Sequence, residues 1–405
     1  MANDLLTRFS ALPAARPLLE QLGGTEGVYL VGGAVRDLLL GAEPLDLDLV
    51  IDGDPEPVAA LLGTPERVHD RFETRTVSVD GFAYDLARAR REIYAHPGAL
   101  PTVAPAGIAE DLGRRDFAAN AIALGLAGGS RGRLLEAPHG REDVEARRLR
   151  VLHDRSFIDD PTRLIRLARY AGRLDFAVEE HTRELARAAV AARAPDTVSG
   201  PRLGVELRLL AEQRNPLRGF RVLAELGIDE AIAPRLGIRS DDRVELARRA
   251  LALLPPDGEA SDVVLAVATL DVPDAERTGL LDRLAFPAAR RDRIAAAAAR
   301  GPALARELAA AGRPSEIDAV IGAGSPELVA LAGALGAQGP ARRWLNTLRH
   351  VRLEIDGDDL LAAGLEPGPA VGAGLAAARA AALNGGAEGR DAQLAEALRG
   401  AREHE

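Results

Sequence analysis

Asp46 and Asp48 stand one residue apart in a segment, residues 45–51, that reads as a short strand after Pro44. Strand side chains alternate faces, so the two carboxylates share one face, with Leu45, Leu47 and Leu49 opposite. Side by side they repel, and each raises the other's pKa unless a cation lies between them. Mg²⁺ takes oxygen ligands and keeps positions for water or phosphate. Asp85, in FAYDLARARRE, lies on another predicted strand. A mixed sheet that brings it beside Asp46 and Asp48 makes a carboxylate trio suited to two-metal in-line displacement at an α-phosphate. Alone, Asp-X-Asp reads as a solvated strand edge and Asp85 as an outward side chain. The order of residues around them tips the reading towards chemistry.

Phosphate-binding groups flank the pair. Tyr29-Leu30-Val31 runs into Gly32-Gly33, and a helical pattern follows over 34–40, ending at Gly41. Glycines let the backbone approach a ligand closely, and N–H groups at a strand-to-helix turn suit anions. Arg36 in the first turn adds a charged fork. Arg114, Arg115 and Asp116 precede an expected helical run through Asn120 and Ile122. The two arginines suit phosphate and Asp116 a ribose hydroxyl; a charged helix start is the plain alternative. A further helix is expected over 159–176, capped by Asp159 or Asp160, with Pro161 in its first turn. Asp160 and Arg163 sit three apart on it, an acceptor and a donor suited to the Watson–Crick edge of a base. A cap with a surface pair explains them equally, and periodicity does not decide. Arg202 and Glu206, in a predicted helix over 199–210, read as an i,i+4 pair.

The elements that must position these residues change character along the chain. Residues 4–22 show helical periodicity. Short strands are expected over 67–70, 74–79, 82–87 and 133–136, with an Asp80-Gly81 hairpin turn and short helices over 55–62 and 140–145. Residues 96–110 carry Pro, Gly and Ala without periodicity and read as a loop. From about residue 149 strand signals vanish and helices take over: 216–226, 241–254, 261–270, 276–285, 288–299 and 303–311, separated by Gly/Pro breaks. The pattern is α+β: a mixed β-sheet with helices on one face, then an all-α remainder.

At 405 residues the chain is long enough for two to four domains, and its hydrophobic content of 47% supplies packed cores. No stretch approaches a transmembrane span, and the start lacks the plan of a signal peptide, so a cytoplasmic protein with no membrane partner is expected. The absence of cysteine excludes disulfides and thiolate metal sites. A lone His153-Asp154 without a surrounding His cluster argues against a metal phosphohydrolase. The net charge of −10 excludes indiscriminate coating of nucleic acid, though not a local RNA-binding patch. All 51 basic residues counted as Lys or Arg are arginine.

In combination these residues resemble the bacterial class II tRNA nucleotidyltransferases, the CCA-adding enzymes, and their relatives the bacterial poly(A) polymerases, within the polymerase β-type nucleotidyltransferase superfamily. The motifs are Gly32-Gly33-Ala-Val-Arg36-Asp37 to Asp46-Leu-Asp48, Arg114-Arg115-Asp116-Phe117 with Asn120, the 136–150 hinge segment, Asp159-Asp160-Pro-Thr-Arg163 with Arg166, and Ser199-Gly-Pro-Arg202 with Glu206. Ala118 stands where the family usually has Thr, and Asp159 where it usually has Glu. The resemblance implies a catalytic head over 1–148, a helical neck over 149–215, a body over 216–338 and a tRNA-binding tail over 339–405. It implies that Asp46, Asp48 and Asp85 bind two Mg²⁺ ions and that Asp85 assists at the primer 3′-hydroxyl. Gly32, Gly33 and Arg36 would hold the triphosphate, Arg114 and Asn120 would join the nucleotide site, and Asp116 would select ribose. Asp160 and Arg163 would read the base, helped by Arg166. The implied reaction is template-independent addition of C, C and A from CTP and ATP to the 3′ acceptor end of tRNA, with release of pyrophosphate. The alternatives are an A-adding or CC-adding enzyme, a poly(A) polymerase, or a non-catalytic tRNA-binding relative. The FAYDLARARREIYAHPGALPTV stretch resembles members that include dedicated A-adding enzymes. Oligomeric state is not legible in the sequence.

Overall fold

The computed structural model describes residues 2–44, 46–63, 67–69 and 74–403. The chain divides into two compact units, Met1–Ile232 and Ala233–Glu405.

The first unit is built on strands β1 (Val28–Val31), β2 (Asp48–Ile51), β3 (Arg67–His69), β4 (Thr74–Val79), β5 (Phe82–Arg88), β6 (Arg90–Ile93), β7 (Thr102–Pro105), β8 (Ile122–Gly125) and β9 (Leu134–Glu136). Seven of them form one mixed sheet in the order β3-β4-β5-β2-β1-β8-β9, while β6 and β7 pair apart from it as an antiparallel hairpin. Within the sheet only β2 and β5 pair in parallel among the described ladders. The central strands β1 and β8 are buried along their whole length, as their unbroken apolar runs require. Tyr29, Val31, Val50 and Ala123 pack with Ile108 and Leu112 of the short helix Ile108–Gly113. Leu30 and Leu49 are fully buried too.

Several expectations shift. The strand expected over 45–51 starts at Asp48; Asp46 lies in the bend before it, so strand alternation does not align the pair, and Leu45 lies outside the described residues. The strand expected over 67–70 ends at His69, and Asp70 is outside the described residues. The amphipathic run at 4–22 breaks into Ala2–Ser10 and Ala15–Leu22, with Pro13 between. The stretch read as a loop over 96–110 contains β7 and the start of the helix Ile108–Gly113; pairing with β6 supplies the order that local periodicity could not. After Asp116 the chain makes one 3₁₀ turn, Ala118–Asn120, and then strand β8 rather than a helix. Ladder bonds to β1 and β9 win over the local helical pattern in AANAIALG.

Beyond the sheet, strand structure does not end at residue 149. β10 (Arg148–Leu149) and β11 (Ala177–Val178) pair in parallel and flank the helix Thr162–Leu174. The helix expected over 159–176 is two pieces, Ser156–Asp159 and Thr162–Leu174, because Pro161 has no N–H to continue the first. Thr182, wholly buried, accepts from Val151 N at 3.1 Å and donates to Glu179 Oε2 at 2.9 Å, which pins the segment after β10 to the helix Glu180–Ala191.

The second unit is helical. Asp241–Leu253, Ala260–Ala268, Ala288–Ala310 and Pro326–Ala332 bury Ala, Val and Leu. Gly301-Pro302 does not break the chain as expected: one 23-residue helix runs through it. Gly301 sits against Leu331, where an added Cβ would be 3.3 Å from that side chain, so packing outweighs the poor local propensity. At the end of the chain Ile355, Leu360, Ala378 and Ala397 form a small core of their own. Among the described residues no single helix is long and apolar enough to cross a membrane.

The Thr182 bridge gives a direct check. Thr182→Val keeps the volume but strands the Val151 N–H in a buried site, so it should cost about 1–3 kcal/mol, read as a lower urea midpoint for the first unit. Thr182→Ser should recover most of the loss.

Candidate active site

Parallel pairing of β2 with β5 sets Asp48 directly beside Asp85. Asp46, Asp48 and Asp85 line one open pocket of about 550 Å³ together with Thr76 and Phe82. Thr76, across the β4–β5 ladder, donates its hydroxyl to Asp85 Oδ1 at 2.6 Å. Burial, then Asp85, and more weakly Asp46 push the Asp48 carboxyl above its usual range, while Arg115 pulls it back. A buried carboxylate beside another anion is a charge that a divalent cation would relieve. Among the described residues no three acids or histidines form a closed metal cage. The donors nevertheless suit a hard cation whose remaining ligands are water and phosphate: all are carboxylate oxygens, and the pocket is open.

Asp48 also borders a second, polar pocket of about 360 Å³, lined by Gly32, Gly33, Arg114, Arg115, Asp116, Asn120, Asp160, Arg163, Arg166 and Tyr170 among others. Gly32, with φ +68°, turns the chain out of β1. A Cβ there would meet the Arg115 guanidinium at 2.9 Å, so glycine is what lets this arginine lie over the turn. Arg115 donates Nη2 to Asp111 Oδ2 at 2.9 Å, and its buried Nε has no partner among the described residues. Asp111, fully buried, also accepts from Arg114 Nη2 at 2.7 Å. Burial works against the charge of Asp111, but Arg115 and Arg114 outweigh it and hold the carboxyl below its usual range. Arg114 further donates to Glu92 Oε1 at 2.7 Å, and Tyr94 donates its hydroxyl to Glu92 Oε2 at 2.8 Å. Burial, then Glu92, raises the Tyr94 phenol, which stays protonated.

Asp116 lies at the back of the pocket. Its Oδ1 accepts from Phe117 N and Asn120 Nδ2; its Oδ2 accepts from Arg166 Nε and Nη2 at 3.0 and 2.6 Å. Burial alone would raise this carboxyl, but Arg166, Asn120 and Arg163 hold it at about 2. Arg36, expected among the triphosphate ligands, does not line the pocket. Its guanidinium is only 1% exposed and is spent on Asn120 Oδ1 and Asp37 Oδ1, with the Tyr170 ring 5.8 Å away. It lies against Gly33 and supports the wall of the pocket, while Arg115 takes the position over Gly32.

Asp160 and Arg163 both reach the pocket, but not as neighbours on one helical face. Asp160 caps the helix Thr162–Leu174 from outside, accepting from Thr162 N and Oγ1 at 3.1 and 2.7 Å. Arg163 donates to Ser156 Oγ and to the Arg114 carbonyl, both at 2.7 Å. The expected Arg202–Glu206 pair does not form. Arg202 bonds Asp160 and Glu206 bonds Arg169, each serving a partner far away in sequence. Tyr170, Glu92, Tyr94 and Arg90 also line the pocket. The first needs the helix rotation to be seen. The alternation Arg90-x-Glu92-x-Tyr94 was a readable strand signal.

A family profile described as the poly A polymerase head domain matches residues 28–150. The A-adding tRNA nucleotidyltransferase of Halalkalibacterium halodurans is 42% identical over 212 residues, 51% of this chain and 50% of that protein. The chain spans about half the length of this relative. The CC-adding tRNA nucleotidyltransferase of Deinococcus radiodurans is 35% identical over 370 residues, 89% of this chain and 85% of that protein. Among solved structures, the Thermotoga maritima CCA-adding enzyme complexed with tRNA superposes with a TM-score of 0.81 at 28% identity, covering 98% of both chains.

The Asp116–Arg166 pair sets an acid limit on this unit. Asp116 has its folded-state pKa depressed to about 2, so its contribution is complete above its ordinary value near 4 and is lost as pH falls from there towards 2. Asp116→Asn should lower stability at pH 7 by about 2 kcal/mol and flatten the fall in urea midpoint between about pH 4 and 2. A wild-type-like acid slope in the variant would refute the assignment.

Proposed function

The chain belongs to the tRNA nucleotidyltransferases, and from that premise we propose that it adds C, C and A from CTP and ATP to the 3′ end of tRNA without a nucleic-acid template. The observation that carries the reading is that Asp48 borders both an acidic pocket shared with Asp46 and Asp85 and an arginine-lined pocket opening on Gly32-Gly33. A triphosphate in the second pocket has its α-phosphorus next to a 3′-hydroxyl in the first. The hydroxyl oxygen forms the new P–O bond, the bond to the β-phosphate breaks, and pyrophosphate leaves. Asp85, held by Thr76, is on the hydroxyl side and assists loss of its proton. Asp46, Asp48 and Asp85 would hold two Mg²⁺ ions, which supply positive charge to the attacking and leaving oxygens.

Arg115 and Arg114, which line that second pocket, bind phosphate. Gly32 and Gly33 let the triphosphate approach the backbone. Asp116, with Asn120 and Arg166 locked against it, faces the ribose. Asp160 and Arg163 read the base edge, accepting C or A. The helical neck over 149–215, the body over 216–338 and the tail over 339–405 serve the tRNA. Addition of A alone or of CC alone is the second reading, and what favours it is that the two relatives described above carry those partial activities by name.

The test is a product ladder. tRNA lacking one, two or three terminal nucleotides, and an unrelated RNA, are incubated with each nucleoside triphosphate singly and in pairs, and the products are sized. CCA addition gives three, two and one added residues and then stops. Growth only on tRNA ending in CC selects the A-adding reading, and arrest after two C the CC-adding one. Continued growth, or growth on any RNA, selects poly(A) synthesis, and binding without any growth selects a non-catalytic relative.

Asp48→Ala should lower addition by about a thousandfold or more, on the order of 4 kcal/mol of lost barrier reduction, with tRNA affinity by filter binding nearly unchanged.

A further inference from the structure

Asp85 has two unlike neighbours in the sheet. On the β2 side it stands level with Asp48, and on the β4 side with Thr76. All three side chains line the same open pocket. The Thr76 hydroxyl lies 2.6 Å from Asp85 Oδ1. An ionised carboxylate only accepts, so the hydroxyl donates, and the length is that of a charge-assisted bond. Along the same face of β4, Thr74 and Ser78 stand opposite Ala87 and Ala83. Of these three hydroxyls only that of Thr76 is set directly across from the acid. Among the described residues Asp85 Oδ2 takes no hydrogen bond. The Thr76 bond does little for folding, because Asp85 is exposed and water would serve its oxygen as well. What it constrains is a torsion: χ2 of aspartate is soft, and a donor fixed on β4 holds the plane of the carboxylate.

We propose that Thr76 is a positioning residue for nucleotidyl transfer: by tying Asp85 Oδ1 to β4 it leaves Oδ2 as the oxygen that serves the cation and the primer hydroxyl. This deepens the proposed function and rests on it. With Oδ1 engaged, the carboxylate offers a cation one oxygen in one place and does not close on it as a chelate. Without the tie, Asp85 spreads over orientations that neither hold the cation nor face the hydroxyl. Outer partners of this kind are worth about ten- to a hundredfold in metal affinity or rate. Thr76 acts through Asp85 and touches neither nucleotide nor cation in this scheme.

The experiment compares wild type with Thr76→Val, Thr76→Ser and Asp85→Asn. Thr76→Val removes the donor while keeping the shape and favouring a strand, so it should fold. Three quantities are measured: thermal unfolding, Mn²⁺ affinity without nucleotide by electron paramagnetic resonance, and kcat and KM for whichever of CTP or ATP wild type adds to shortened tRNA. Positioning predicts that Thr76→Val cuts kcat and Mn²⁺ affinity by about tenfold or more, with KM for the nucleotide and the melting temperature close to wild type. Its Mn²⁺ affinity should approach that of Asp85→Asn, and Thr76→Ser should restore most of both losses. A merely structural role lowers the melting temperature and leaves the Mn²⁺ affinity of the folded fraction unchanged. Unchanged Mn²⁺ affinity in folded Thr76→Val overturns the proposal whatever happens to kcat, and so does an unchanged kcat beside an active wild type. Equal Mn²⁺ affinity in wild type and Asp85→Asn overturns it as well. None of these results touches nucleotide addition by wild type. A wild type that adds no nucleotide removes the proposed function instead, while a weaker Mn²⁺ site in Thr76→Val would still show the threonine holding the acid.

Discussion

The ion pair between buried Asp116 and half-buried Arg166 holds the sheet and the helices to one geometry around the pocket. Asp116 leaves the helix Ile108–Gly113 just before β8; Arg166 comes from the helix Thr162–Leu174. Their partners continue in both directions, through Asn120 to Arg36 and Asp37, and on from Arg166 towards Glu206 and Arg169. Pairs of this kind add little net stability, because the carboxylate loses its water on burial and the guanidinium part of its own. They do penalise wrong arrangements: shifting either element leaves a buried charge uncompensated. The chain of ions therefore acts on register, and the pocket inherits it.

The carboxylate site has a different logic. Nothing neutralises Asp48 and Asp85 from within the trio; the parallel register simply places like charges side by side. In a purely structural sheet such a pair would be selected against. Burial first and then Asp85 raise the Asp48 carboxyl, so the fold carries its unfavourable charge at the candidate site.

Much of this was legible in the sequence, for reasons that can be named. The β4–β5 hairpin announced itself through Asp80-Gly81, and the helix Gly140–Glu145 and the helix Pro216–Leu226 fell where periodicity put them. Asp48 and Asp85 lie side by side as two strands of one mixed sheet would place them. What was not legible needed long-range pairing. β7 and β8 lie in stretches whose local pattern is loop-like or helical, and only their ladder partners make them strands. Arg36 was misplaced for a similar reason: position in the first turn says which way an arginine starts, not that Asn120 and Asp37 wait to bury it. Arg202 and Glu206 show the same limit, since i,i+4 spacing cannot compete with partners held rigidly by other elements.

The polar pocket bordered by Gly32 and Gly33 draws its positive charge from guanidinium: Arg90, Arg114, Arg115, Arg163 and Arg166 among its lining residues, in a chain that has no lysine. A guanidinium keeps its proton through the whole alkaline range. Titration of ligand affinity must therefore trace acids, in the protein or in the ligand, and never a base losing its charge. Amine-directed reagents such as succinimidyl esters would pass this cavity by, whereas dicarbonyl reagents selective for arginine would find it densely furnished.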